Sequence, residues 1–345
     1  MQTLAAARWL TTGARSSYTN AWVSACAVRV AFDEGISVHE QRRRITPLIR
    51  QGVFPNEIYE LGLYRGDSPS WHRYVYNRES AAFNEERSLA LGSRADFCRE
   101  RDLLSDKQAV HDICVAADIP FVPTRHVLEA GDVIPHGTES LFVKPRSAFG
   151  GQRAYAMLSR SDGTVIRSWR STHSRSLDLT RKGAVVEPTL VQPLLRAHPC
   201  FEELSHGAAL DVPTLRIITV SPLSAEPPVW HSLLELARSP LADELLTYYS
   251  LNLDQHGMVT HLHIPPWLDR STYVRDHAIL DVVGTVIPQW LAARESVIRA
   301  HALFPHVHSI AWDVALADQG PLLLEGNTAF AVVRHQALRG PLLPV

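Results

Sequence analysis

Lysine is almost missing from this chain. Of 34 basic residues only Lys107, Lys144 and Lys182 are lysine, and the other 31 are arginine. GC-rich coding accounts for the bias as a whole, yet it makes the place of each remaining lysine informative. Cysteine is scarce as well. The four cysteines, at positions 26, 98, 114 and 200, form no C-x-x-C pair, which argues against a usual zinc site and a dense disulfide framework. A reducing, cytoplasmic setting is expected. No apolar run approaches the roughly 18 residues that span a bilayer. The longest apolar-leaning stretch, 21–32, is short and contains Arg29. Basic excess is absent too: the formal net charge is -2, without the footprint of a nucleic-acid binder. Neither a nucleic acid nor a membrane is therefore expected as a partner. Neither G-x-x-x-x-G-K-[ST] nor G-x-G-x-x-G occurs, which excludes a P-loop NTPase and leaves no dinucleotide fingerprint.

What is present describes an ordinary globular protein. The 345 residues suggest about two domains, and 46% hydrophobic with 20% charged residues suits a packed core. Residues 1 to about 100 read as mostly helical, with aromatic clusters such as Tyr59, Tyr64, Trp71, Tyr74 and Tyr76. The first 32 residues lack any acid, as transit peptides do, but a helix packing on the body is the preferred reading. The runs Gln41–Arg44 and Asn84–Arg87 read as solvated helix faces. Ser105 with Gln108 fits a capping box that opens a helix with Val110, Ile113, Cys114 and Ala117 on one face. Asp118-Ile119-Pro120 ends it.

From residue 140 the texture changes to β-rich runs: 140–144, 152–158, 185–195, 214–220, 229–237 and 257–264. A long helical pattern, 273–303, follows, and two strands, 308–317 and 321–327, close the chain. Strands first and a late helix, without βαβ alternation, indicate an α+β fold with mainly antiparallel sheets. The one clear boundary lies near residue 105.

The final two strands carry the strongest chemistry. Asp318-Gln319-Gly320 fits a three-residue hairpin loop with Gly at its left-handed position. Ala317 then faces Pro321, and counting outward sets Asp313 opposite Glu325, with Asn327 on the same face as Glu325. Opposed like charges repel at such a separation. A hard cation between them removes the repulsion, and two carboxylates with an amide oxygen suit Mg²⁺. The alternative is a solvent-facing acidic pair at a strand end, against which the flanking Val314, Leu316, Leu322, Leu323 and Leu324 argue. A second segment runs Phe142-Val143-Lys144-Pro145 into a loop with Gly150 and Gly151. Such a loop can fold over phosphates, with Lys144 as a point charge, or it can be a hairpin turn with an exposed lysine.

Other candidates read more simply. His261 and His263 alternate along a strand, and with His256 they are a weak metal set. Gly66-Asp67-Ser68 reads as a loop turn, not a nucleophile motif.

Together these pieces resemble the ATP-grasp superfamily, and within it the sugar-transfer-associated branch. The matching stretches are Ser105-Asp106-Lys107, Phe142–Pro145 with Gly150-Gly151, Leu190–Leu195, Asp211–Thr219, and Trp312-Asp313 through Gly320 to Glu325-Gly326-Asn327. They cover roughly residues 100 to 335 in the family's order. The resemblance implies two α+β lobes, 105–190 and 191–345, gripping ATP, after a helical region 1–104 that shapes a substrate pocket or an oligomer contact. It implies Lys107 and Lys144 on ATP phosphates, with Ser147, Gly150 and Gly151 in a loop covering them. Val191, Gln192, Leu194 and Leu195 form the implied adenine hinge, where Gln192 stands at a position that is Glu in many members. Asp313, Glu325 and Asn327 would hold Mg²⁺, usually two ions, and Arg216 would face the γ-phosphate or the developing acyl phosphate. Arg334 and His335 follow closely enough to line an acceptor pocket, against a plain surface-helix reading.

The chemistry so implied is an ADP-forming carboxylate–amine ligase acting on small molecules, in specialised-metabolite or polysaccharide biosynthesis. A carboxylate attacks the γ-phosphorus to give an acylphosphate and ADP; an amine then displaces phosphate to form an amide. Phosphotransfer to a hydroxyl and nucleotide binding without catalysis are the alternatives. A homodimer is a further expectation.

Overall fold

The computed structural model describes residues 17–66, 71–135, 139–147, 154–160, 163–168, 180–181, 184–201, 212–237, 248–263 and 281–343. Contacts divide the chain into two units. One comprises Met1–Phe83, His261–Val283 and Ala329–Val345, and the other Asn84–Thr260 and Gly284–Thr328.

The first unit is helical, with helices Ser17–Asp33, Val38–Arg50, Pro55–Glu60 and Val332–Arg339. Apolar residues three and four apart turn Cys26, Ala27 and Val30 of the first helix inward. They meet Val38, Ile45, Ile58, Tyr59, Tyr64 and Tyr76 in one buried cluster. Gln41, expected on a solvated face, is instead fully buried. Its Nε2 donates to Ala27 O (3.0 Å) and Ile36 O (2.7 Å), and its Oε1 accepts from the Tyr59 hydroxyl (2.8 Å). A buried amide is tolerated when its polar atoms are paired, and here the pairing ties three helices and a loop together.

The second unit holds the sheets. Strands β1 (His126–Leu128), β2 (Leu141–Pro145), β3 (Tyr155–Arg160) and β4 (Gly163–Ser168) precede a small ribbon of β5 (Thr180–Arg181) and β6 (Ala184–Val185). With β7 (Thr189–Pro193) a five-stranded sheet forms in the order β1-β7-β2-β3-β4. A six-stranded sheet follows, built from β8 (Thr214–Val220), β9 (Val229–Ala237), β10 (Tyr248–Leu253), β11 (Val259–His263), β12 (Ser309–Ala317) and β13 (Gly320–Asn327). Its order is β11-β10-β9-β8-β12-β13. In the five-stranded sheet each neighbour pairs antiparallel with the next. In the six-stranded sheet β12 runs antiparallel to β8 and β13, and β9 to β8 and β10. The fold is α+β, as the order of strands and helices predicts. Strand β12, between β8 and the edge strand β13, is buried at every position, which explains its apolar sequence.

Two local readings change. The helix expected over 273–303 is confined, among the described residues, chiefly to Trp290–His301. Gly284 takes φ +89° and Val286 bridges Met258, while Pro288 disfavours helical backbone before it. Asp106, not Ser105, caps helix Lys107–Ala116: its carboxylate accepts the amides of Gln108 and Ala109. Ser105 ends the preceding helix, Arg94–Ser105, and donates to Arg101 O. The boundary expected near residue 105 falls where helix Arg94–Ser105 meets helix Lys107–Ala116.

The run Asn84–Arg87 is likewise no solvated face. Asn84 is 1% exposed, and its Nδ2 donates to Ser309 O and Thr328 O, both at 2.8 Å. Its Oδ1 accepts from the Ser309 amide and hydroxyl. One side chain thereby pins the start of β12 to the chain just beyond β13. Arg87 pairs with Glu226 at 2.6 Å.

Candidate active site

Strands β12 and β13 pair Asp313 with Glu325, as the sequence count predicts, but by another route. The loop has two residues, Asp318 and Gln319, and Gly320 already pairs with Ala317. Leu316 meets Pro321, Ala315 meets Leu322 and Val314 meets Leu323. A bulge then absorbs Leu324, so Asp313 meets Glu325. The shorter loop moves the register by one residue and the bulge moves it back.

Beyond Glu325, Gly326 lies opposite Trp312, a fully buried side chain. A Cβ at Gly326 would stand 2.7 Å from the Trp312 ring and 3.1 Å from Ile310 Cγ2. Glycine is required there by the close approach of the indole.

The opposed carboxylates do not face each other unaided. Arg216, on β8, pairs with Asp313 across the next strand and grips it bidentately, Nε to Oδ1 at 2.8 Å and Nη2 to Oδ2 at 2.9 Å. Lys107 Nζ lies 3.5 Å from Glu325 Oε2, and Asn327 Nδ2 lies 3.3 Å from Glu325 Oε1. Burial pushes the Asp313 carboxyl up, against the pull of Arg216, and the Glu325 charge adds to the rise. Burial works the same way on Glu325, but the charges of Lys144 and Lys107 outweigh it and hold that carboxyl low. The Asp313 charge raises the Arg216 guanidinium further still.

Lys144, next to the end of β2, joins the same set of charges. Burial lowers its ammonium to about 8; Glu325 and Asp313 oppose the shift and Lys107 adds to it. The two lysines are tied by their sequence neighbours. Arg146 holds Asp106 bidentately, one contact being Nε to Oδ1 at 2.7 Å, and the Lys107 amide donates to Arg146 O at 3.4 Å. The Arg146 hydrogen bonds hold the Asp106 carboxyl below its ordinary range. Glu235, on β9, is 7% exposed and shares the face of Arg216, on which its charge acts. Sequence reasoning missed Arg146 and Glu235. The one legible signal was Asp106, an N-cap residue just before a lysine.

Of the residues expected to form a hinge, Val191 and Gln192 lie on strand β7, and Leu194 and Leu195 follow it. Val191 O accepts from the Arg125 amide and the Leu194 amide donates to Ser140 O, so both groups are used within the sheet. Gln192 is buried, Leu194 and Leu195 are partly exposed, and Ser147 is exposed just after β2. Gly150, Gly151 and Lys182 lie outside the described residues, as do Asp67 and Ser68. Arg334 and His335 belong to the first unit: Arg334 Nε stands 3.8 Å from Glu60, and His335 is buried. His263 Nε2 lies 3.0 Å from the same Glu60. Among the described residues no group of three or more His, Cys, Asp or Glu side chains is placed to hold a metal ion.

Asp313, Glu325 and Asn327 nevertheless fit a hard cation in kind. They offer oxygen donors only, and a carboxylate oxygen bonded to Arg216 keeps a further lone pair. They supply only part of a six-oxygen shell. The remainder must come from water or from a bound anion.

A sequence model of the family described as sugar-transfer associated ATP-grasp matches residues 87–343. No curated protein matches the chain by sequence. Similar solved structures include the ATP-grasp ligase PsnB complexed with minimal precursor, 11% identical with a TM-score of 0.34 over 67% of this chain and 54% of that one. The L-amino acid ligase from Bacillus licheniformis is 14% identical with a TM-score of 0.34, over 68% and 43%. The VanG D-Ala:D-Ser ligase from Enterococcus faecalis is 11% identical with a TM-score of 0.36, over 68% and 55%. The chain thus spans about half the length of the solved structures it matches. Likenesses this distant leave activity and substrate to the site itself.

Proposed function

This chain belongs to the sugar-transfer associated ATP-grasp family, and from that premise we propose that it is an ATP-dependent, ADP-forming ligase that joins a small-molecule carboxylate to an amine. The convergence of Lys107, Lys144 and Arg216 on Asp313 and Glu325 within one unit carries the reading. No nucleophilic Ser or Cys is needed: phosphoryl transfer depends on positioning and charge compensation.

Lys107 and Lys144 bind the phosphates of ATP as point charges on rigid elements, a helix start and a strand end. Arg216 lies on the strand beside Asp313 and compensates charge as it develops on the transferred phosphoryl group. Asp313, Glu325 and Asn327 hold Mg²⁺. When bound, Mg²⁺ polarises phosphoryl oxygens and neutralises their charge. Val191, Gln192, Leu194 and Leu195 meet the adenine, and the loop from Ser147 through Gly150 and Gly151 covers the phosphates. Excluding water over the site protects the acylphosphate until the amine attacks.

The test is ADP release from purified protein across acid and amine pairs. A ligase requires both acid and amine for ADP and free phosphate, whereas phosphotransfer to a hydroxyl leaves phosphate on the product. Lys144→Ala and Glu325→Ala each lower turnover at least about a hundredfold with circular dichroism unchanged. Unchanged turnover in either variant would sink the assignment. Nucleotide binding without turnover on any pair would reduce the protein to a binder.

A further inference from the structure

Each carboxylate proposed to hold the cation is already held by a cation of the chain itself. Both Asp313 oxygens are bonded to Arg216, at 2.8 and 2.9 Å, and Glu325 lies 3.5 Å from Lys107. The pairing is sheltered: the Lys107 and Asp313 side chains are 10% and 11% exposed. A bidentate guanidinium–carboxylate pair is a strong, directional contact, and stronger away from water. Moreover, two carboxylates and an amide are too few donors for a divalent cation to give up most of its water.

We propose that Arg216, backed by Lys107, makes divalent-cation binding at Asp313 and Glu325 conditional on the nucleotide. The inference rests on the ATP reading above. A free cation meets a carboxylate pair whose charge is already balanced, so it must displace a guanidinium or an ammonium while offering those groups no new partner. A triphosphate changes both sides of that balance. Its oxygens complete the cation's shell, and its negative charge gives Lys107, Lys144 and Arg216 something else to hold. Cation and nucleotide therefore enter as a pair, and each raises the other's affinity by the same factor, as linkage requires. Arg216 acts here as a positioning residue that sets the order of assembly, a task separate from compensating phosphoryl charge.

Calorimetry with Mn²⁺, an oxygen-seeking stand-in for Mg²⁺, tests this without turnover. Wild-type protein should bind Mn²⁺ at least about tenfold more tightly with β,γ-methylene-ATP than without it. Arg216→Gln should raise the affinity for Mn²⁺ alone by about tenfold, and adding Asp313→Asn should erase that gain. Equal Mn²⁺ affinity with and without the nucleotide analogue overturns the proposal. So does a folded Arg216→Gln variant whose affinity for Mn²⁺ alone is unchanged. If that variant does not fold, Lys107→Gln is judged by the same criterion. Failure of the analogue to bind with or without Mn²⁺ is a different result: it removes the ATP reading, and the variants on Mn²⁺ alone still decide the charge balance.

Discussion

Arg146 closes a bidentate ion pair on Asp106, and the two residues flank the two lysines of the site. Asp106 directly precedes Lys107, and Arg146 follows Lys144 by two positions. The Lys107 amide also donates to Arg146 O, so helix Lys107–Ala116 and the end of β2 share a backbone contact as well as an ion pair.

Breaking this clasp should cost nucleotide affinity as well as stability. Asp106→Ala removes a helix cap and a half-exposed ion pair, a loss of about 1–2 kcal/mol in urea unfolding. Asp106→Ser keeps a cap and loses only the ion pair. Both variants are expected to bind an ATP analogue about tenfold more weakly in calorimetry, a tenfold change being about 1.4 kcal/mol. If Asp106→Ser binds like wild type, the clasp does not position the lysines.

Gly326→Ala should destabilise the second unit by about 1–3 kcal/mol, the usual cost of overpacking. The new methyl meets the ring of a fully buried Trp312, itself 6.3 Å from Phe304, so nothing nearby yields cheaply. Thermal unfolding of the variant checks this, and an unchanged midpoint would contradict the packing described.

Asn84→Ala leaves the Ser309 amide and the Ser309 and Thr328 carbonyls without their buried partner. Each such group costs about 1–3 kcal/mol, and partial relaxation brings the expected total to about 3 kcal/mol in denaturant titration. Proteolysis should then cut near the Asn327 end of β13 sooner than in wild type. A loss below about 1 kcal/mol would show that water replaces the amide.

Stability should fall in acid through His301. Its Nε2–H donates to Val307 O at 2.8 Å, and Nδ1, 2.6 Å from the Thr219 hydroxyl, accepts from it. Burial pushes the imidazole down to about 4. The unfolded chain therefore binds the extra proton first, so this contribution is complete above pH 6.5 and disappears as pH falls to 4. The full loss is about 3 kcal/mol, from a shift at about 1.4 kcal/mol per unit. Urea midpoints measured between pH 7 and 4.5 should decline, and His301→Gln should flatten the decline. Parallel curves for the two proteins would assign the acid sensitivity elsewhere.

Much of the sheet was legible because strands announce themselves by local pattern: 214–220 and 229–237 have the bounds read from sequence. The carboxylate pair was legible for the same reason. What escaped were side chains whose role depends on distant partners. Gln41 and Asn84 sit in polar runs that look solvated, and only tertiary contact shows that backbone carbonyls wait for them. Arg146 is one arginine among many, with nothing local to mark its reach back to Asp106, forty residues earlier. The helix expected over 273–303 shows the opposite error: a local apolar rhythm runs through Gly284 and Pro288, where the backbone turns.

The bulge at Leu324 makes the site a matter of parity. Leu323 and Gly326 both face inward, onto Val314 and Trp312, although three residues of chain separate positions that a regular strand would reach in two. Straightening the bulge with the sequence unchanged would set Leu324 against Asp313 and turn Glu325 to the inward face, opposite Trp312. Deleting Leu324 would straighten the strand too, yet leave Glu325 opposite Asp313. Whether this hairpin carries chemistry at all therefore hangs on one residue being set aside from the ladder, a property that neither carboxylate holds.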